Sequence, residues 1–312
     1  MTVAVLSYNG RALLDVVLPS LAAQSMRGFE TVVVDNGSSD DTVAWLAKHW
    51  PGVTVVALPE NVGVTAALNV CLTAGSGELV VLLNNDIELD PDFLGQLVAC
   101  MQAHPEAGSA AAKLLDFADR SILDGAGDIY DWSGEGTRRG KGAQDAGQYD
   151  EQREVFGACG AAAMYRRSAV REVGLFDEQL FAMYEDLDWA FRAQLLGYSC
   201  RYVPGAVGYH MGSVTIGKGL SDFTLYHTWR NGIWITVRNY PPSALLRHGH
   251  RFLNAQAHTL VWAAQTKRLG IFLRAWRDAL AGMPAVIRKR RRIQRTRSVG
   301  LDRLERVIGV DD

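Results

Sequence analysis

A chain of 312 residues, 48% hydrophobic and with a formal net charge of −2, has the composition of an ordinary soluble globular protein, long enough for one large or two small domains. No run of about 18 uninterrupted apolar residues occurs, so no transmembrane helix is expected. Cys71, Cys100, Cys159 and Cys200 form no C-x-x-C pair, which argues against a zinc site; with no signal peptide at the N-terminus they read as reduced thiols of a cytosolic protein. The near-neutral total hides an asymmetry. From Tyr240 onward there are 15 Lys and Arg against 5 Asp and Glu, a balance of +10, so the first 239 residues carry −12. Such a split points to a basic tail that meets an anionic surface.

Taken in order, the chain alternates strands and helices. Val3 to Leu6 is a short apolar strand that ends in Ser7, Tyr8, Asn9 and Gly10. A helix follows over about Leu13 to Ala23, with Leu14, Val17, Leu18 and Leu21 at helical spacing. Thr31 to Val34 is a second strand, ended by the polar loop Asp35 to Thr42 that caps a helix over Val43 to His49. Val53 to Leu58 is a third strand, followed by the loop Glu60-Asn61-Val62-Gly63 and a helix over Val64 to Ala74. Leu79 to Leu83 is a fourth, buried strand ending at once in Asn84, Asn85 and Asp86. Asp90 and Pro91 read as the cap and first position of the next helix.

Such alternation with short connections predicts an α/β fold with a mostly parallel sheet and helices on both faces. Polar clusters at the ends of several strands should converge on the carboxyl edge of the sheet, where open α/β sheets bind ligands. Ser, Asn, Asp and Gly are also ordinary turn residues, but their recurrence at the same strand ends favours nucleotide or phosphate binding. The oxygen-rich Asn84-Asn85-Asp86 suits a hard divalent cation shared with substrate phosphates.

Further on, Ala110 to Leu115 reads as a strand, and the stretch from Asp124 to Glu154 as a long irregular insertion, mobile without ligand. The small residues from Phe156 to Ala163 lead into a strand, and Arg167 to Val173 forms a short helix. Tyr184-Glu185-Asp186-Leu187-Asp188-Trp189 opens a helix closed by Gly197; acids there suit the helix N-terminus, and Asp186 and Asp188, two apart, point in different directions. Cys200 to Val203 is a strand, followed by a turn at Pro204-Gly205 and then His210. The stretch from Gly212 to Gly219 nearly spells a P-loop but has Gly219 where Ser or Thr is required, and no G-x-G-x-x-G follows the first strand; Lys218 remains a candidate phosphate contact.

Together these stretches resemble the inverting glycosyltransferases of family 2, with the GT-A fold, over roughly Thr2 to Asn239. The resemblance rests on five ordered motifs: Val5-Leu6-Ser7-Tyr8-Asn9; Val34 to Asp40; Glu60-Asn61-Val62-Gly63 with Asn69; Leu83-Asn84-Asn85-Asp86; and Glu185 to Trp189 followed by Tyr209-His210. The flavour is that of bacterial rhamnosyltransferases of cell-surface polysaccharide synthesis, which Trp229-Arg230-Asn231 also resembles. The resemblance implies that Ser7, Tyr8, Asn9 and Asp35 hold the base and ribose of a nucleotide-sugar donor, and that Asn61 and Gly63 lie along it. Asn84-Asn85-Asp86 takes the D-x-D position, with Asn84 replacing its first acid. Asp86 and His210 would then ligate Mg²⁺ or Mn²⁺, and Asp186 would be the catalytic base. The donor it implies is dTDP-rhamnose, with another nucleotide sugar such as a UDP-hexose as the alternative, and the acceptor a glycan or polyprenyl-diphosphate-linked glycan. A non-catalytic nucleotide- or sugar-binding module would not need the base, and a sugar-nucleotide pyrophosphorylase would need a glycine-richer first loop.

After residues 1–239, the segment 240–312 reads as a helical, basic extension: two helices over Leu245 to about Ile287, then the run Arg288 to Arg297. An anionic membrane surface, packing on the catalytic domain, a homo-oligomer contact and nucleic acid are the competing partners. The membrane is favoured over nucleic acid, and the implied location is cytoplasmic, peripheral on the inner face of the cell membrane.

Overall fold

The computed structural model describes residues 1–212 and 221–309. Ser213 to Gly219, with the candidate Lys218, lies outside the described residues. The first half alternates as the patterning predicts: β1 (Thr2–Ser7), α1 (Arg11–Ala22), β2 (Glu30–Asp35), α2 (Thr42–His49), β3 (Thr54–Ala57), α3 (Val64–Thr73) and β4 (Leu79–Asn84). Then follow β5 (Ile87–Leu89), α4 (Phe93–Ala103), β6 (Ala107–Asp116), β7 (Leu123–Ala126), β8 (Asp128–Tyr130), β9 (Gly136–Arg138), β10 (Arg153–Val155), β11 (Ala162–Arg166) and α5 (Arg167–Val173). After α6 (Glu185–Leu195) and β12 (Ser199–His210) the chain is helical: α7 (Asp222–Asn239), α8 (Pro242–Gln265), α9 (Leu269–Thr296) and α10 (Leu301–Glu305).

The main sheet runs β10-β12-β6-β11-β4-β1-β2-β3. Strands β3, β2, β1 and β4 are parallel, as their helical crossovers require; β11 then enters antiparallel between β4 and β6, making the second half mixed. Alternation along the strands divides the core between two faces. Val3, Val5, Val81 and Leu83 pack with α1, α2 and α4, while Ala4, Val80 and Leu82 pack with α3, α5 and α6. Each fully buried Val or Leu contributes about 1.5–3 kcal/mol, so this face-by-face burial fixes the register, and with it the strand ends.

Three local expectations are corrected. The helix read as starting at Asp90-Pro91 starts at Phe93, because the Asp90 N–H bonds Val207 O at 3.0 Å and holds the chain on β12. The Pro204-Gly205 turn is a bulge inside β12, between Val203 and Val207. The insertion from Asp124 to Glu154 is not irregular throughout but carries β8, β9 and β10 and part of β7. It is anchored by the buried Lys113 ammonium, which draws in Asp145 at 2.6 Å and Asp150 at 2.7 Å.

The C-terminal helices pack on the rest of the chain. Trp234 of α7 lies against Gly282 of α9, where a side chain would collide with the indole, and its Nε1–H donates to Ala279 O at 2.9 Å. Tyr240, Ala244, Leu304 and Ile308 share a core with Tyr130 and Phe191. The four cysteines are buried free thiols, and among the described residues no helix is long and apolar enough to cross a membrane.

Candidate active site

The polar strand ends converge on one cavity of about 470 Å³ at the carboxyl edge of the parallel strands. At the end of β1, Asn9 adopts φ of 47° and ties β1 to β2: its N–H donates to Ser38 Oγ at 2.8 Å, and its Oδ1 accepts from Ser39 N–H at 2.8 Å. Gly10 leaves the room that the Asn85 amide occupies, and that amide donates to Ser7 Oγ at 3.1 Å. Asp35 accepts from Ser38 N–H at 3.0 Å. Asn36 bridges to the next loop, donating to Asn61 Oδ1 at 3.1 Å and accepting from Val62 N–H at 3.0 Å. Gly63, at φ of 86°, opens α3 against the ring of Phe181, a conformation and a contact that favour glycine.

Of the residues singled out in the sequence, Tyr8, Asn61, Gly63, Asn84, Asn85, Asp86, Asp186 and His210 line the cavity. Ser7, Asn9 and Asp35 are not on its wall but brace the loops behind it.

Asp86 and His210 meet because β5 turns back antiparallel along β12 and pairs Ile87 with His210. Asp86 Oδ1 stands 3.3 Å from His210 Nε2, yet the two are not aligned for a hydrogen bond, and both are buried without a hydrogen-bond partner. The other ring nitrogen, Nδ1, is bonded to Asp124 Oδ2 at 2.7 Å. Asp124 is also paired with Arg138, and with Lys141 Nζ at 3.3 Å. Burial works against the Asp124 charge, but His210, Arg138 and Lys141 outweigh it and hold the carboxyl well below the usual range. Burial likewise opposes a charged His210, while Asp124 and Asp86 outweigh it and raise its pKa. A buried carboxylate oxygen and a buried imidazole nitrogen, neither hydrogen-bonded, are both lone-pair donors of the kind that can ligate a divalent cation. No cluster of three or more His, Cys, Asp or Glu able to hold a cation occurs among the described residues.

Asp186, on the wall of the same cavity, opens α6. Its Oδ2 accepts from Gly160 N–H at 3.0 Å and its Oδ1 from Leu187 N–H at 2.8 Å, which orients the carboxylate on the wall. The approach to it is strained. Phe181, Met183 and Tyr184 take φ of 65°, 66° and 70°, each costing on the order of 1–3 kcal/mol for a residue with a Cβ. Asn231 of α7 holds this turn: its Nδ2 lies within donating distance of Leu180, Ala182 and Met183 carbonyls, at 3.1, 2.9 and 2.8 Å. Beside Asp186, burial and its negative charge push the Glu185 carboxyl up to about 8 and raise that of Asp128 well above the usual range. Asp188, by contrast, points into the core, where Arg238 Nε, Asn239 Nδ2 and Arg192 Nε donate to it at 2.8, 2.8 and 2.9 Å. The divergence expected for positions two apart on a helix is thus realised.

The sequence reading missed Asp124, Asp128, Arg138 and a role for Asn231. The first three sit in the insertion read as irregular, where no periodic signal marks them. Asn231 was visible only as part of Trp229-Arg230-Asn231.

A mixed α/β domain whose strand-end loops and carboxylates enclose one cavity has the architecture of a GT-A glycosyltransferase. The sequence profile of glycosyl transferase family 2 matches residues 2–174, and the chain belongs to that family. The match ends before Asp186 and His210. The chain is similar to the N-acetylglucosaminyl-diphospho-decaprenol L-rhamnosyltransferase of Mycobacterium tuberculosis, 25% identical over 262 residues, covering 77% of this chain and 85% of that one. Among solved structures, S. aureus TarS 1-349 in complex with UDP-GlcNAc superposes with a TM-score of 0.57 at 19% identity, over 95% of this chain and 90% of that one. In another TarS structure the chain spans 43% of a longer polypeptide. The mannosyltransferase PcManGT from Pyrobaculum calidifontis, in complex with GDP-Man and Mn²⁺, matches with a TM-score of 0.55 at 20% identity, over 90% of this chain and 74% of that one. At these identities the structural likenesses show the fold.

Proposed function

We propose that this glycosyltransferase moves a sugar, with inversion, from a nucleotide-diphosphate donor to a hydroxyl of a glycan acceptor. The donor proposed is dTDP-rhamnose, and the acceptor a polyprenyl-diphosphate-linked glycan of cell-surface polysaccharide synthesis, worked on by a peripheral protein at the cytoplasmic membrane face. The observation that carries the reading is that one cavity is lined both by an oriented carboxylate, Asp186, and by the Asp86–His210 pair, whose facing atoms make no hydrogen bond. The similarity to a rhamnosyltransferase supports the sugar and the lipid-linked acceptor.

The residues divide the work. Inversion requires one in-line displacement at the anomeric carbon, with the acceptor hydroxyl losing its proton as it attacks. Asp186 takes that proton; Gly160 N–H and Leu187 N–H keep its carboxylate aimed while it does so. Tyr8, Asn61 and Gly63 hold the donor along the loops at the strand ends, with Ser7, Asn9 and Asp35 bracing them. Asn84 and Asn85 face the diphosphate, and Asp86 with His210 would hold Mg²⁺ or Mn²⁺ beside it. Such a cation, when bound, supplies Lewis-acid neutralisation of the charge that gathers on the leaving diphosphate. Asp124 fixes the imidazole so that Nε2 is free to ligate.

Calorimetric titration with dTDP-rhamnose, UDP-GlcNAc and GDP-mannose, each with and without Mn²⁺, tests the reading. One donor is expected to bind with a metal-dependent gain that Asp86→Ala abolishes. Equal affinity for all three, unmoved by metal and by Asp86→Ala, would overturn it. Asp124→Asn removes the charge behind His210 and is expected to weaken Mn²⁺ binding, measured by titration in the presence of the nucleoside diphosphate, by about 10–100-fold. Unchanged Mn²⁺ affinity in that variant would remove Asp124 from the site.

A further inference from the structure

Helices α8 and α9 each keep one face packed and leave the other bare. In α8 the buried residues are Ala244, Phe252 and Ala263, whereas Leu246, Leu253 and Leu260 are 90%, 64% and 40% exposed. In α9, Phe272, Ala275, Ala279 and Val286 are buried, whereas Leu273, Leu280 and Ile287 are 55%, 58% and 41% exposed. Both exposed sets recur every seven residues, so each forms one stripe along its helix. Nine of the fourteen exposed large hydrophobics among the described residues fall in these two helices, which makes the exposure a local property and not the ordinary scatter of a protein surface. Two aromatic residues of α9 pack against other helices instead. Trp276 Nε1–H donates to Gln256 Oε1 at 3.2 Å, and Phe272 packs edge-on against Trp229.

The charge around the stripes is one-sided. Helix α8 carries Arg247 and Arg251 and no acid of its own, but Arg247 pairs with Glu305 at 3.3 Å and Arg251 with Asp131 at 3.2 Å, so the unpaired positive charge is that of α9. In α9 the line Leu273, Leu280, Ile287 continues one turn on into exposed Arg291 and then Arg295, flanked by Arg288 and Arg292. The single acid of α9, Asp278, is engaged by the Tyr226 hydroxyl at 2.8 Å and by Arg277. Part of the basic run is internal: Lys289 Nζ bonds Asp177 at 2.6 Å, and Arg290 Nη1 bonds Tyr240 O at 2.7 Å. What remains outside is a leucine stripe passing into a patch of arginines.

We infer that the bare face of α8 and α9 docks on an anionic lipid bilayer, with Leu246, Leu253, Leu260, Leu273, Leu280 and Ile287 in the interfacial layer and the α9 arginines among the headgroups. Apolar side chains running into the exposed α9 arginines Arg288, Arg291, Arg292 and Arg295 match a surface that is apolar below and anionic above. A second copy would set arginines against arginines, and a nucleic acid would leave the leucines without a use. The inference deepens the peripheral-membrane element of the proposed function. It stands on the helix faces alone, so loss of the transferase reading would leave it intact.

Flotation of the full chain with phosphatidylcholine vesicles, with and without phosphatidylglycerol, tests it. The protein is expected to float with anionic vesicles and to remain at the bottom with neutral ones. The triple variant Arg291→Glu, Arg292→Glu, Arg295→Glu should lower partitioning by roughly 100-fold or more, each basic residue near the surface contributing about a factor of five. Leu253→Glu with Leu280→Glu should lower it at high as well as low salt. Both variants change exposed positions, so an unaltered thermal midpoint checks that they fold. Failure to float with anionic vesicles at low salt overturns the inference, as does flotation unchanged in both variants. A dimer that Leu253→Glu dissociates, without effect on flotation, would assign the face to a second copy instead.

Discussion

Asp186→Asn is expected to bind donor as the unsubstituted protein does and to lose transfer by about 10²–10⁴-fold, the usual contribution of a positioned base. The amide is isosteric and its oxygen can still accept from Gly160 N–H, at the loss of the bond from Leu187 N–H, which then faces the amide NH₂; the side chain keeps its shape while the proton acceptor is gone. A radiolabelled transfer assay gives the rate, and calorimetry the donor affinity. The split between the two is the diagnostic. A turnover within tenfold of the unsubstituted protein would shift attention to Asp128 or Glu185, which also lie on the wall. Both are pushed toward their neutral forms by burial and by Asp186 itself, which suits them to donating hydrogen bonds more than to taking a proton.

Two residues along the same helix, substitution acts on stability instead. Asp188→Ala should cost about 3–5 kcal/mol, because it leaves Arg238 and Arg192 without the carboxylate they share. Arg238 is 1% exposed, retains Asp177, and cannot move its charge to water. Chemical denaturation measures the loss, and a change under 1 kcal/mol would contradict it. Replacing the pair together, Asp188→Leu with Arg238→Met, is expected to recover part of the loss, since only the less buried Arg192 is then left without its carboxylate. The contribution depends on pH with a definite sign. Burial opposes the charged form of Asp188, but Arg238 and Arg192 outweigh it and hold the pKa at about 2. The stabilisation is therefore fully present above the unfolded carboxylate pKa of about 4 and is lost as pH falls from there toward about 2. The gap between Asp188→Ala and the unsubstituted protein should close over that window.

The parts of the site that could be read in advance share a local cause. Leu79 to Leu83 is apolar on both faces, and a strand buried on both faces must end where Asn84, Asn85 and Asp86 begin. Likewise, Ser7, Asp35 and Gly63 close strands or open helices through turn chemistry that each stretch carries within itself. The opposite orientations of Asp186 and Asp188 follow from helical geometry alone. The start of α4 was misplaced by a non-local bond, from the Asp90 N–H to Val207 O. The insertion was read as irregular because β7 to β10 are strands of three or four residues, too short for alternation to register.

From its own residues, then, the chain determines an alternating α/β order, strand ends rich in amides and carboxylates, and a basic C-terminal segment. Those properties depend on apolar spacing and on turn and cap preferences within a few positions. Tertiary structure decides which side chains meet. The β5–β12 register brings Asp86 to His210 across more than a hundred residues, the insertion delivers Asp124 to the far side of the same imidazole, and Asn231 reaches back to hold the strained turn before Asp186. It also decides the fate of the basic segment, drawing Lys289 and Arg290 inward and leaving Arg291, Arg292 and Arg295 beside a bare leucine stripe. The physical reason is the same in each case: a contact between distant residues depends on how sheets and helices stack, and no local pattern encodes that stacking.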